Sequence, residues 1–267
     1  MMDSHRPLPR LAFTAGALRP GSRDLPEEVA VALSYNGSTH AVMMATPSDL
    51  EDFAKGFTLT EGIAALDEID SITAVETPRG IDLQIWLADP AADRQAKRRR
   101  SMAGPVGCGL CGIDSLDEAM RSPRPVPRSD FAMSPAQVMA AMADLEAHQP
   151  LHDITRAAHC AALWADGGII AAREDVGRHN ALDKLIGATA PLHAAALVLT
   201  CRTSVDMVQK ACAAGFPVLI AVSAPTAAAV TLADQAGLTL IALARPDRFE
   251  IFTHPHRIAP QEAAHVA

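Results

Sequence analysis

Two apolar runs in the second half of the chain, Ala195-Ala196-Leu197-Val198-Leu199 and Val218-Leu219-Ile220-Ala221-Val222, offer no polar residue to either face of a strand. Strands that are apolar on both faces must be covered on both, so they belong in a sheet layered between helices. The flanking sequence supplies the helices in alternation. Strands are expected over about 158–164, 169–173, 195–200, 218–222 and 238–243, with a turn at Asp166-Gly167-Gly168. Helices are expected over about 134–147, 180–186, 204–214 and 226–236. The fold class is α/β, with a layered domain over residues 129–267.

A smaller α+β domain is expected ahead of it, over residues 29–90. Val29 to Tyr35 and Ser38 to Ala45 are β-prone and joined by Asn36-Gly37, the dipeptide best suited to the positive φ angles of a two-residue hairpin. Thr46-Pro47-Ser48-Asp49 opens a helix whose buried stripe is Leu50, Phe53 and Phe57, ending before Gly62. Residues 71–76 and 81–87 form a second strand pair around Thr77-Pro78-Arg79-Gly80. The first 28 residues, rich in Pro, Arg and Gly, read as a flexible arm, with order beginning after them. Residues 91–128, where pattern gives way to charge, glycine and proline, read as a loop between the domains.

That loop holds the most chemically suggestive stretch, Gly107-Cys108-Gly109-Leu110-Cys111-Gly112. A C-x-x-C pair suits tetrahedral zinc, but a structural site needs two more ligands, and no second C-x-x-C pair exists here. A thioredoxin-like dithiol opens a helix, whereas glycines precede, separate and follow these cysteines. Open glycine backbone lets a thiol reach a partner or a neighbouring pocket, as a carrier requires. Lys97-Arg98-Arg99-Arg100, shortly upstream, supplies cations that favour thiolate. The other three cysteines, Cys160, Cys201 and Cys212, read as small buried residues, and His159 as a core histidine. An odd set of five cysteines in 267 residues does not suit a disulfide framework and places the chain in a reducing cytoplasm. A net charge of -8 argues against a general nucleic-acid binder, and no apolar run is long enough to span a membrane.

A second constellation, Arg173-Glu174-Asp175-Val176-Gly177-Arg178-His179-Asn180-Ala181-Leu182-Asp183-Lys184, lies where a strand hands over to a helix. Layered α/β sheets bind ligands at such junctions, and free backbone N–H groups there favour anions. Thr200-Cys201-Arg202-Thr203-Ser204 and Ser223-Ala224-Pro225-Thr226 adjoin strand ends in the same way, so three junctions suggest one shared pocket. Arg178, Lys184, Arg202 and Lys210 are candidate phosphate contacts, and Asp175 or Asp183 a reader of donors on a base or sugar. A last polar run, Leu243-Ala244-Arg245-Pro246-Asp247-Arg248, leaves the final strand with two arginines. A nucleotide-binding regulatory module with incidental cysteines, or a zinc protein, stays open at this point.

Taken together, GCGLCG, EDVGRHNALDKLIG, VSAPTAAAV with LADQAGLTL, and EDFAKGFTLTEGI resemble the formate dehydrogenase accessory sulfurtransferases, the FdhD family, from about Val29 to Ile258. The resemblance implies a sulfur carrier that takes persulfide sulfur from a cysteine desulfurase and passes it to the bis(molybdopterin guanine dinucleotide) molybdenum cofactor of formate dehydrogenase. It makes Cys108 the persulfide-bearing residue and Cys111 its helper, and assigns Leu243 to Arg248 to the cofactor. With the junction residues Asp175, Arg178, His179, Asn180, Lys184, Arg202, Ser204, Ser223 and Thr226, these form the expected binding set for the cofactor and its guanine nucleotide part. No zinc and no nucleic acid are expected, and apolar helical faces leave room for a homodimer. The resemblance also implies a cytidine-deaminase-like layering of the larger domain. Deaminase chemistry does not follow, since no His or Cys here begins an H-x-E or C-x-E triplet and Gly107 stands in place of the proline of P-C-x-x-C. The chain departs from the family at Ala157-Ala158 before His159 and at Thr200-Cys201 before Arg202.

Overall fold

The computed structural model describes residues 2–100, 123–190 and 194–259, with backbone alone for 96–100. Order begins at His5, not after residue 28. Strands β1 (His5–Thr14) and β2 (Ala17–Pro26) form a two-stranded antiparallel sheet of their own, turned at Ala15-Gly16 with both φ angles positive.

The strands and helix expected between residues 29 and 87 follow. Strands β3 (Val29–Tyr35) and β4 (Ser38–Ala45) pair antiparallel about Asn36-Gly37, whose φ angles of 48° and 77° are those of a two-residue hairpin. Helix α1 (Leu50–Thr60) starts one residue after Asp49, so Pro47 precedes the helix and does not sit in its first turn. Strands β5 (Ile69–Thr77) and β6 (Gly80–Leu87) complete a sheet of order β4-β3-β6-β5, with β3 and β6 parallel. One face of this sheet buries Val31, Leu33, Ile81, Leu83 and Ile85 against Phe53, Ala54 and Phe57 of α1.

Helix α2 (Asp89–Arg100) corrects the expectation of an uninterrupted loop from residue 91. It has almost no apolar stripe, burying Ala91 and Gln95, and so gives no periodic signal. Helix α3 (Pro135–Asp144) opens on a capping box, Ser134 accepting from the Gln137 N–H while the Gln137 side chain accepts from the Ser134 N–H. A 3-10 turn (Leu145–His148) and α4 (Pro150–Thr155) lead into the larger sheet.

That sheet comprises β7 (His159–Ala165), β8 (Gly168–Asp175), β9 (Ala196–Leu199), β10 (Val218–Ala221), β11 (Thr239–Arg245) and β12 (Arg248–Thr253). Its order is β12-β11-β10-β9-β7-β8. The inner strands β9, β10 and β11 are parallel, while β7, β8 and β12 run antiparallel to their neighbours. Between them come α5 (Arg178–Thr189), α6 (Val205–Ala214) and α7 (Ala227–Ala236). The run Leu243–Arg248 does not leave a final strand; it turns the chain from β11 into β12.

The alternation of strand residues explains the doubly apolar runs. Leu197, Leu199, Leu219 and Ala221 belong to the core beneath α5, α6 and α7. Ala196, Val198, Val218 and Ile220 belong to the opposite core, with Val138, Ala141 and Met142 of α3. Successive side chains on a strand point to opposite faces, so one apolar run serves two cores.

Candidate functional site at the strand ends of the larger sheet

The ends of β9, β10 and β11 lie together and are stitched by main-chain hydrogen bonds. Thr226 N–H donates to the Thr203 carbonyl (3.0 Å), Leu243 N–H to the Ser223 carbonyl (3.4 Å) and Val222 N–H to the Leu199 carbonyl (2.9 Å). Arg245, half-buried, donates from Nη1 to the carbonyls of Val222 (2.6 Å) and Ala244 (2.7 Å), which fixes its guanidinium against the edge. The edge therefore gathers three of the predicted segments: Arg202 and Ser204, Ser223 and Thr226, Leu243 to Arg245.

Three polar atoms on this side of the fold are buried without a hydrogen-bond partner among the described residues: Arg178 Nε, Thr203 Oγ1 and Ser204 Oγ. Ser204 is the residue before α6, yet its hydroxyl makes no capping bond. Thr226 does cap α7, accepting from the Ala229 N–H (3.2 Å). A buried donor left unpaired costs free energy, and donors at the start of a helix suit an anion. Arg202 is exposed beside them.

His179, at the start of α5, pairs through Nε2 with the Asp206 carboxylate in the first turn of α6. Burial pushes the His179 pKa down to about 4; Asp206 opposes this, and the cations of Arg178 and Lys210 add to it. His159, at the start of β7, is also held below the ordinary histidine range, by burial and by Arg178. Asp206 was not anticipated. An acid in a first helical turn reads as an ordinary complement to the helix dipole, so only the contact with His179 distinguishes Asp206.

Five predicted residues lie elsewhere. Asp175 and Lys184 are fully buried and pair at 2.7 Å. Asp175 also accepts from the N–H groups of Thr46 (3.0 Å) and Gly177 (2.7 Å), and Lys184 donates to the Thr46 carbonyl (2.9 Å). Asn180 donates to Asp175 (3.0 Å) and to the Met44 carbonyl (2.8 Å). All three are engaged in joining the larger unit to residues 44–46 of the smaller one. Asp183 and Lys210 belong to the same joint, Lys210 Nζ lying 2.9 Å from Asp183 and 2.9 Å from Glu61. At the other end of the predicted set, Pro246, Asp247 and Arg248 are exposed on the β11–β12 turn.

Cys108 and Cys111 lie outside the described residues. The remaining cysteines are buried, and burial pushes the thiols of Cys160, Cys201 and Cys212 up to about 12, 11 and 12. Each is almost wholly protonated near neutral pH and a weak nucleophile. Among the described residues no helix is long and apolar enough to cross a membrane, and no three His, Cys, Asp or Glu side chains gather as metal ligands would.

The sequence profile of the FdhD/NarQ family matches residues 26–259. The chain is 50% identical over 261 residues to the sulfur carrier protein FdhD of Agrobacterium fabrum, covering 96% of each. It is 49% identical over 259 residues to the sulfur carrier protein FdhD of Brucella abortus, covering 95% of this chain and 96% of that one. A solved Desulfotalea psychrophila structure, assigned to a formate dehydrogenase accessory protein, superposes with a TM-score of 0.78 at 25% identity, covering 96% of this chain and all of the other.

Proposed function

The chain belongs to the FdhD/NarQ family, and on that premise we propose that it is a sulfur carrier serving formate dehydrogenase, with Cys108 as the sulfur-bearing residue. The observation that carries this is the division of the five cysteines. Three are buried with raised pKa values, which leaves the GCGLCG pair to supply a nucleophile.

In the loading step the Cys108 thiolate attacks the outer sulfur of a persulfide on a cysteine desulfurase. A bond forms between Cys108 Sγ and that sulfur, the donor S–S bond breaks, and the donor cysteine leaves as thiolate. The cargo's destination is the molybdenum of a bis(molybdopterin guanine dinucleotide), bound as a substrate at the strand-end edge. The unpaired donors Arg178 Nε, Thr203 Oγ1 and Ser204 Oγ fit an anionic ligand, and exposed Arg202 adds charge to its phosphates. Arg245, fixed by two carbonyls, holds the Leu243–Arg245 backbone beside the same edge. We place this chemistry in the cytoplasm, where thiols stay reduced. The order β8-β7-β9-β10-β11, with β7 antiparallel to both neighbours, supports the cytidine-deaminase-like reading of the larger sheet.

The test is to incubate the protein with a desulfurase and cysteine and weigh it intact. One added sulfur is expected, absent from Cys108→Ala. Loading that persists in Cys108→Ala refutes the assignment. If Cys108→Ala instead binds guanine nucleotide normally and still supports formate dehydrogenase activity in cells, the protein is a nucleotide-binding regulator.

A further inference from the structure

Helices α5 and α6 meet through two pairs of titratable side chains at matching spacing. His179 and Asp183 share one stripe of α5, Asp206 and Lys210 share one of α6, and His179 meets Asp206 while Asp183 meets Lys210 one helical turn further on. The second pair is extended by Glu61 at the end of α1 and serves the joint between the two units. The first pair differs in kind, because imidazole is the only group of the four whose ordinary pKa lies near neutrality.

His179 and Asp206 are mostly covered, their side chains 13% and 14% exposed, and they lie where the two helices begin. The unpaired Arg178 Nε immediately precedes His179, and the unpaired hydroxyls of Thr203 and Ser204 stand just ahead of α6. Arg178, Arg202 and Asp206 all act on the Cys201 thiol, so the start of α5 and the segment that opens α6 share one electrostatic environment. Burial disfavours an imidazolium at His179 most; Asp206 and Glu61 favour it, and Arg178 and Lys210 oppose it, which leaves the ring neutral, with a pKa of about 4. A negative charge seated on Arg178 Nε and the two hydroxyls offsets Arg178 and favours the charged ring.

We infer, taking the strand-end edge as the seat of a phosphate-bearing ligand, that His179 is a proton-accepting counterion for that ligand: neutral in the free protein, it takes up one proton from solvent when the anion binds, while Asp206 holds the ring in position. Nε2–H donates to the Asp206 carboxylate, so the incoming proton goes to Nδ1. The bound state then holds more protons than the free state, and affinity rises as pH falls. An opposite charge at close range strengthens the hold on a proton by about ten- to a thousandfold. A hundredfold gain on a starting pKa of about 4 makes binding about fourfold tighter at pH 5.5 than at pH 7.5, with about 0.7 proton taken up per ligand at the lower pH.

The probe is GDP-mannose, a guanine nucleotide whose pyrophosphate is a diester and keeps the same charge at both pH values, so that only the protein titrates. Calorimetric titration of the full chain at pH 5.5, in two buffers of different ionisation enthalpy, counts the protons, and titrations at pH 5.5 and 7.5 give the affinities. The natural chain is expected to show the uptake and the tighter binding. His179→Gln is expected to bind with no uptake and with one affinity at both pH values. Asp206→Asn keeps the imidazole but removes the carboxylate that favours its charge, so its uptake moves to lower pH and falls below half that of the natural chain at pH 5.5; either variant alone decides the matter. Binding without proton uptake overturns the inference and leaves the ligand reading intact. So does uptake that persists in His179→Gln, as it would on His159, which burial and Arg178 also hold low. A natural chain that does not bind the probe at either pH overturns both.

Discussion

Lys184 and Arg178 stand six residues apart in one polar run, and both carry the charge that suits a phosphate-bearing ligand. The structure separates them by a periodicity that the run itself contains. Asn180, Asp183, Lys184 and Gly187 recur at helical spacing, so they share one stripe of α5, and that stripe is the one pressed against the smaller unit. Arg178 and His179, in the first turn, face other neighbours. Residue type alone does not tell a buried ion from a ligand contact, but the spacing was there to be read. The three described cysteines, Cys160, Cys201 and Cys212, are all buried, and the consequence can be checked directly. Brief iodoacetamide treatment of the native protein at pH 8, followed by peptide mass mapping, is expected to modify Cys108 and Cys111 and to leave Cys160, Cys201 and Cys212 untouched until denaturant is added. Native alkylation of Cys201 at a comparable rate would count against the division on which the sulfur-carrier reading rests.

At the scale of elements, α1 and α5 cross with their backbones in contact. A Cβ built on Gly187 would lie 1.9 Å from the Asp52 carbonyl oxygen and 2.7 Å from Gly56 N, and one on Gly56 would lie 1.7 Å from the Asp183 carbonyl oxygen. Backbone cannot yield as a flexible side chain can, so Gly187→Ala should cost about 3 kcal/mol in urea unfolding. Gly21→Ala, with nothing within 4 Å, should stay within about 0.5 kcal/mol. Similar midpoints for the two variants would mean that the helices can part without loss. Most elements were readable from period and turn chemistry: the Asn36-Gly37 hairpin, the layered sheet and the strand-end polar clusters all appear where the pattern places them. The β1–β2 arm was not, because Pro7, Pro9, Pro20 and Pro26 mask its alternation, and prolines are tolerated in a strand only where a backbone donor is not needed. Its turn is Ala15-Gly16, which lacks the asparagine that signalled the second hairpin. Helix α2 gives no periodic signal for a different reason: seven of its twelve residues are charged.

At the scale of the molecule, the two units are joined through buried charge, and Lys210 carries part of that joint. Its ammonium reaches Asp183 and Thr60 at 2.9 Å and Glu61 at 2.9 Å, and lies 5.5 Å from the centre of the Phe57 ring, so α6 of the larger unit grips the end of α1 in the smaller. Burial works against the charged form of Lys210, but Asp183 and Glu61 hold its pKa above the ordinary lysine value. Lys210→Met removes the cation and leaves the Asp183 carboxylate buried without a counter-charge, a loss of about 3–5 kcal/mol. Lys210→Met/Asp183→Leu removes both charges and should recover at least about 2 kcal/mol of that, since replacing a whole buried pair by apolar groups is often close to neutral. The deficit of the single variant also has a sign in pH. Unfolded Asp183 ionises near its ordinary value of about 3.9, whereas the buried, unpaired carboxyl resists ionisation. Burial holds the Asp183 pKa up at about 6 in the natural chain, against the pull of Lys210, and loss of Lys210 raises it further, so the gap between Lys210→Met and the natural chain should be smaller at pH 4 and widen above about pH 6, towards pH 7. Urea titrations of the natural chain and both variants at the two pH values decide the matter. A deficit that is the same at pH 4 and pH 7, or a double variant no more stable than the single, would show that the joint is held by packing and that the buried ions only follow it.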